Sequence, residues 1–383
     1  MSIKHKNIIG LFLIISTLVL SVNGYAQKKE QKRAKPFIDT VDNAFDISYY
    51  LYNLHGFLPV VSPVTEPAVG YGAIAAGLFF IPKNTDPENK KFKMPDVAGF
   101  AGGYTQNHTW FAGVGYFGFW KDDHIRYRGA AGYGDVKLKY YGKGGGFLED
   151  NPANFTIQAL GFVQQAEFRI ANSHFMLGGK YSFTKTKVTA FEESKLPFVD
   201  PKEFDLTNSG IGIIGEFENL DNIFSPNKGL RFVVTYNQYL ELLGSDRNYG
   251  RLISFATCYL PVIKYKWVSG FRAEFQMATG DPPFYAYPFI FLRGVPALRY
   301  QGKYTLLAET QQNIFVTRRW MMDAFGGYGQ TFNKKIDGYL AWNAGMGFRY
   351  LIARTLGLRM GIDVAKGPDE WAFYIVVGNA WLR

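Results

Sequence analysis

Cysteine is almost absent from this 383-residue chain, and Cys258 stands alone. That excludes a disulfide framework and any thiolate-ligated zinc or iron–sulfur site. Of five histidines, one falls in the first 26 residues, and no two of the others lie within five residues of each other, so a histidine metal cluster is not expected. No apolar run of eighteen residues occurs after residue 26, which argues against spanning helices. The chain also lacks a Walker loop, an HExxH pair and a G-x-S-x-G elbow, so phosphate-loop, zincin and hydrolase chemistry have no groups to work with. No cofactor, metal or catalytic residue is implied. What is plentiful is glycine, at 42 residues, and aromatics, with 7 Trp, 25 Tyr and 34 Phe.

The N-terminus reads as a targeting segment. Lys4 and Lys6 precede an apolar run from Ile8 to Val22, and Gly24-Tyr25-Ala26 supplies small residues before a cut at Gln27. Residues 1–26 are therefore expected to be a cleaved secretory signal peptide. Removing its two lysines lowers the net charge from +10 to +8, and the tail from Lys28 to Lys35 holds +4 of that. A basic tail of this kind is solvated chain and not a nucleic-acid-binding stripe, so no nucleic-acid partner is expected.

Beyond the tail, apolar and polar residues alternate. Phe271, Ala273, Phe275 and Met277 share one face while Arg272, Glu274, Gln276 and Ala278 share the other. Leu230–Tyr236 and Leu358–Ala365 repeat the pattern. Period two with charges on one face and aromatics on the other fits a barrel between lipid and an aqueous lumen. Fifteen such segments begin near Val69, Val97, Trp110, Ile125, Phe155, Phe175, Gly210, Leu230, Leu252, Val268, Tyr304, Met321, Tyr339, Leu356 and Trp371. Bacterial single-chain barrels close with an even number, so sixteen strands are expected, the missing one within 190–208. The fold class is thus all-β, a sixteen-stranded antiparallel transmembrane barrel over 57–383, preceded over 27–56 by the basic tail and a short helix. Asp46 or Ser48 would cap that helix, and Gly56 would stop it.

Several patterns invite chemical readings that the context weakens. GxGxxG at Gly113–Gly118 and Gly210–Gly215 lies within strand-like segments, where glycine serves close packing and not a dinucleotide. Asp39, Asp42, Asn43 and Asp46 lack calcium-loop spacing. Asp122, Asp123 and His124 suit a polar loop at a barrel rim, with a water-activating Asp123–His124 pair as the enzymatic alternative.

The stretch FLRGVPALRYQGKYTLLAETQQNIF, containing Leu292-Arg293-Gly294-Val295, resembles the inward-folded sixth extracellular loop of the BamA/TamA surface-antigen superfamily. DNIFSPNKGLRF at Asp221–Phe232 is similar to that family's D-N-x-x-x-P-x-x-G turn, and Phe325, Gly327 and Gly329 stand in its F-x-D-x-G strand. Arg359 and Asp363 lie in a penultimate strand like the family's, and an aromatic-rich last strand follows from Trp371 to Trp381. FLPVVSPVTEPAVGYG is similar to the entry into the first strand of short members without POTRA domains. The resemblance implies that Glu309 and another wall carboxylate hold Arg293 inside the barrel. Gly327 replaces the family's acid, and Asp323, on the same face by period two, is the expected substitute. A guanidinium always carries its charge, so a lumen position requires such partners, with Gly294 permitting the turn. The implied function is insertion, assembly or translocation of polypeptide, with lipid as a further cargo, without covalent chemistry. The implied location is the outer membrane, with its lipid and unfolded outer-membrane proteins as partners. Gly70, Gly72 and Gly77 in the first expected strand and Gly378 in the last would mark a weakly packed lateral seam. The alternatives are a passive pore or structural barrel, and a barrel enzyme.

Overall fold

Alternation along the chain becomes sixteen antiparallel strands, each hydrogen-bonded to its neighbour in chain order. The structure is a computed structural model and describes residues 37–49, 56–66, 68–81, 83, 95–141, 152–190, 205–333 and 338–381. The strands are β1 (Gly56–Glu66), β2 (Gly70–Ile81), β3 (Asp96–Thr105), β4 (Trp110–Trp120), β5 (Ile125–Tyr140), β6 (Ala153–Arg169), β7 (Phe175–Ala190) and β8 (Asp205–Glu218). They continue with β9 (Gly229–Tyr239), β10 (Tyr249–Ile263), β11 (Trp267–Gly280), β12 (Tyr304–Phe315), β13 (Trp320–Phe332), β14 (Leu340–Ala353), β15 (Leu358–Lys366) and β16 (Trp371–Val377). The sheet curls until β16 stands beside β1, but no ladder joins them among the described residues. The barrel is nearly closed, with one unsealed seam.

The sixteenth strand is β1, not a segment within 190–208. Pro59 and Pro63 conceal it, because proline cannot donate to a ladder and usually argues against a strand. An edge strand tolerates proline when the missing N–H points away from the neighbour, and β1 pairs only with β2. This moves the seam by one strand. Gly70, Gly72 and Gly77 lie on β2, which is paired on both sides, with β1 and β3. At Gly77 the rings of Phe57 and Phe100 occupy the space a side chain would take, so that glycine accommodates an aromatic cluster.

The two faces meet different surroundings. Outward positions such as Val114, Ile213, Leu306, Met322 and Met346 are exposed and apolar. Aromatics ring the belt at both ends. Tyr104, Trp110, Tyr133, Tyr328, Trp342 and Trp371 lie toward one end; Trp120, Phe168, Phe175, Trp267, Trp320 and Phe348 lie toward the other. Such girdles mark the two interfaces of a membrane barrel. The second end carries most of the short connections and the last described residue, and is called the turn end; the first, from which residues 281–303 leave the sheet, is the loop end.

Three segments cover the turn end. The connection at 219–228 folds on its own side chains: Asp221 Oδ1 accepts the N–H groups of Asn227 and Lys228 at 2.9 and 3.1 Å. Asn222 Nδ2 then donates to the carbonyl of Leu356 at 3.0 Å, tying this turn to the one between β14 and β15. The chain beyond β16 is the second segment. Gly378, at φ +79°, turns it under the barrel, so Trp381 is not part of the last strand but lies buried against Phe255, Tyr259 and Val268.

The third is residues 37–49, docked on the turns after β12 and β14. The Arg319 guanidinium meets Asp39, Asp42 and Asp46 at 2.5, 2.6 and 2.5 Å, and Arg354 also pairs with Asp39. Ile47 N–H donates to Ile352 O at 2.7 Å. Asp46 Oδ1 accepts the N–H of Ser48 at 2.7 Å, a capping bond; Tyr50 to His55, where most of the expected helix falls, lie outside the described residues, as do the expected leader and basic tail.

The arginines hold these carboxyls in their charged form. Hydrogen bonds from Arg354 lower the Asp39 pKa, and those from Arg319 lower that of Asp42 to about 2. At Asp46 burial acts to raise the pKa, but bonds from Ser48 and Arg319 outweigh it. Depressed carboxyl pKa values contribute stability that is present above the unfolded value, near 4, and lost as pH falls through the folded values. The docked segment should therefore stay ordered at neutral pH and come loose between about pH 4 and about 2. A nitroxide on Val41→Cys, in a Cys258→Ser background, reads this as spectral narrowing across that window. A mobile label already at pH 7 would contradict it.

Candidate functional site in the lumen

The long connection after β11, residues 281–303, folds into the lumen instead of away from it. Phe284 packs edge-on against Tyr140 and Phe155, with ring centroids 5.1 Å from each, on the wall opposite the loop's own strands. Further along, Ile290, Leu292, Val295 and Tyr300 join Leu307 and Ala341 in a buried cluster. Val295, directly after Gly294, is 2% exposed within this cluster. The loop thus spans the lumen, and its buried apolar side chains contribute roughly 1.5–3 kcal/mol for each large one fully buried.

At its tip, Arg293 enters a row of alternating charges borne by β11 to β15. The order is Glu274, Arg272, Glu309, Arg293, Asp363, Arg349 and Asp323. Arg293 donates to Glu309 Oε1 from Nε at 3.2 Å and Nη2 at 3.0 Å, and to Asp363 Oδ2 from Nη1 at 2.7 Å. Its guanidinium stacks on Phe325, 3.4 Å from the ring centroid. Burying one guanidinium costs several kcal/mol; two charge-assisted pairs and an aromatic face offset that cost here.

Period two places these groups. Arg272 stands opposite Glu309 in the β11–β12 ladder, and Glu309 opposite Gly327 in the β12–β13 ladder. A Cβ at Gly327 would meet Asn343 Oδ1 at 2.8 Å and Glu309 Cγ at 3.0 Å, so a side chain there would require Asn343 and Glu309 to shift. The second acid for Arg293 comes instead from Asp363 on β15. Asp323 lies 3.3 Å from Arg349 and belongs to the far end of the charge row. Glu309 is the hub: beyond Arg293, it accepts from Asn343 at 3.1 Å, Arg272 at 3.2 Å and Trp381 Nε1 at 2.7 Å.

Gly294, at φ +82°, lets the tip pass against β15 and β16. Its N–H donates to Tyr374 Oη at 2.8 Å, and a Cβ there would meet Gly367 N at 2.9 Å. Arg299 and Tyr300 both reach Asp369, at 3.1 and 3.2 Å. The inserted loop therefore touches the last strand at the seam. Of the glycines expected there, Gly378 borders it, while Gly70, Gly72 and Gly77 do not.

Sequence reasoning did not find Asp363 as a partner of Arg293, nor Arg272, Arg349 and Trp381. For Arg272 the available signal was its alternation with Glu274 on one face of β11. Asp123 and His124 do not form a pair. Asp123 binds Arg126 and Arg169, while His124 contacts Lys121 O at 2.7 Å and Asn172 Oδ1 at 3.2 Å. Among the described residues, no group of three or more His, Cys, Asp or Glu side chains is placed to hold a metal.

An all-antiparallel sixteen-stranded barrel with an apolar belt, a loop pinned in its lumen and an unsealed seam defines the class: outer-membrane-type barrels. Among solved structures, the chain is similar to BamA from Haemophilus ducreyi lacking POTRA domains 1–3, with a TM-score of 0.59 at 13% identity over 85% of this chain and 70% of that one. It is also similar to CdiB from Escherichia coli, at 0.54 and 9% over 84% and 62%, and CdiB from Acinetobacter baumannii, at 0.51 and 9% over 84% and 59%. The chain thus spans about three fifths of the CdiB chains. No family model matches it, and no curated protein matches it. At these identities the likeness is one of fold.

Proposed function

We propose that this chain is exported by a cleaved signal peptide over 1–26 and acts in the outer membrane as a barrel of the BamA/TamA type, inserting, assembling or passing polypeptide without covalent chemistry. Its partners in this reading are outer-membrane lipid and unfolded outer-membrane proteins. The observation that carries it is the unsealed seam between β1 and β16, touched from within by the loop that Arg293 anchors. An unpaired edge is a template for another strand, and β16 presents one of seven residues. Arg293, Gly294, Glu309 and Asp363 would hold the loop against the opening strands, with Asp323 fixing Arg349 behind them.

One feature favours a second reading. Pro59 and Pro63 take two N–H donors from β1, so that side of the seam pairs poorly with an incoming strand. A passive or structural barrel would need no such pairing. Locking the seam separates the two. Ser62→Cys with Val376→Cys, or Val60→Cys as the register-shifted alternative, is oxidised in a Cys258→Ser background. The assembly reading expects a heat-resistant barrel that fails to restore the outer-membrane protein profile of a deletion strain until reductant is added. Equal rescue by oxidised and reduced protein would favour the passive barrel.

A further inference from the structure

The lumen has two unlike halves. The wall from β11 to β15 is charged and covered by the loop. The wall from β2 to β6 faces inward with small and apolar residues, among them Ala76, Leu78, Val97, Ala101, Ala130 and Val163. Between them and β7 lies a cavity of about 680 Å³. Its place along the axis can be read from β6. Phe155 and Ile157 pack against the loop, Gly161 and Val163 line the cavity, and Gln165 and Glu167 join a cluster of ion pairs toward the turn end. The cavity therefore sits in mid-lumen, apolar along one side, at a level between the loop and the ion-pair cluster.

Its far side is cationic. Lys180 lines the cavity, with Ser182, Thr184 and Tyr239 beside it. Among the described residues Lys180 has no hydrogen-bond or ion-pair partner, and its charged neighbours are Arg128 and Arg251. Arg251, among the described residues, reaches only the amide oxygen of Gln276, at 3.5 Å. Arg128 sees Glu167 and Glu216 no closer than 3.8 Å, and Arg231 already engages Glu216 at 2.9 Å. Lys180 and Arg251 thus have no carboxylate partner among the described residues, and of the two acids beside Arg128, Glu216 is shared with Arg126 and Arg231, an arrangement that favours an anion from outside the described chain.

We propose that this chamber binds a single-chain anionic amphiphile, with its acyl chain along the glycine- and alanine-rich wall of β2–β6 and its carboxylate or phosphate on Lys180 and Arg251. The volume lies within the ~300–1,000 Å³ of small-ligand sites, and an apolar body with one charged end matches the division of the walls. The apolar wall begins on β2, one strand from the seam, which places it next to a side opening toward lipid. This inference does not depend on the assembly reading; a passive barrel would hold the same chamber.

The test is displacement of a fluorescent fatty acid from the full barrel held in uncharged phosphatidylcholine nanodiscs. Palmitate and lysophosphatidate are the anionic competitors, and methyl palmitate is the neutral one. Anionic competitors should displace the probe and the neutral ester should not; the stronger of the two identifies the head group. Lys180→Gln should weaken binding by about tenfold or more, as expected for loss of a charge-assisted bond, and Lys180→Arg should restore it. At Gly115 a Cβ would make only ordinary contacts, so Gly115→Leu extends into the cavity and should abolish binding. Ala130→Leu serves the same end if Gly115→Leu does not fold, as judged by heat-modifiable mobility. These substitutions leave the outer belt unchanged, which separates the lumen from the bilayer-facing surface. Binding that is indifferent to Lys180→Gln and to filling the cavity, or a neutral ester that competes as well as palmitate, would overturn the proposal.

Discussion

Replacing Arg293 with alanine should free the loop from the wall and raise the conductance of the barrel. The substitution leaves Glu309 and Asp363, 3% and 0% exposed, without the cation between them. Removing one member of a buried ion pair costs about 3–5 kcal/mol, chiefly because the other charge remains buried. Glu309 keeps Arg272, Asn343 and Trp381, and Asp363 keeps Arg349, so the low end, about 3 kcal/mol, is expected. The sheet ladders do not involve Arg293, and the barrel itself should persist. Planar-bilayer recordings should show larger and noisier openings, and the heat-induced mobility shift should occur at lower temperature. Arg293→Lys should fall between, because an ammonium cannot present a planar fork to two carboxylates at once. Unchanged conductance and unchanged heat stability in the alanine variant would show that the apolar contacts of Phe284 and Val295 suffice to hold the loop.

Arg319→Ala should detach residues 37–49 from the turn end. Asp39, Asp42 and Asp46 converge on this one guanidinium, and without it three like charges share Arg354 alone. Arg354 is largely solvated, so its ion pair is screened and contributes less. Chymotrypsin should then cut beside Phe45 at least tenfold faster in the folded barrel, corresponding to ~1.4 kcal/mol or more of local opening. Arg354→Ala should give a smaller acceleration. Equal cleavage of wild type and Arg319→Ala would mean that the backbone bond from Ile47 to Ile352 and the packing of Phe37 on Phe45 hold the segment unaided.

What the sequence discloses follows from how locally each feature is determined. Alternation along β9, β11 and β15 is legible because a barrel wall separates two solvents, and the pattern needs no knowledge of pairing. β1 escapes because Pro59 and Pro63 forbid an interior strand, and only an edge makes them permissible. Glu309 lies sixteen residues after Arg293, on the strand that leaves the loop. Asp363 lies 70 residues away, and its reach to Arg293 depends on the curvature of four strands. The three aspartates near the N-terminus look solvated because their arginines follow 273 to 315 residues later. Spacing between nearby residues carries no trace of such partners.

The inward turn at Gly378 bears on the order in which this molecule can fold. Asn379 and Trp381 rest on Tyr259, Val268 and Glu309, partners 72 to 120 residues earlier for the two bonds they donate. Contacts of that span form late, since loop-closure entropy must be overcome before they give any return. β10, β11 and β12 have to stand as a wall before the indole has a surface to meet, and the mouth is narrowed once the indole is seated. Trp381 would then be among the last side chains to leave water, and the burial of its ring would time the final step of refolding.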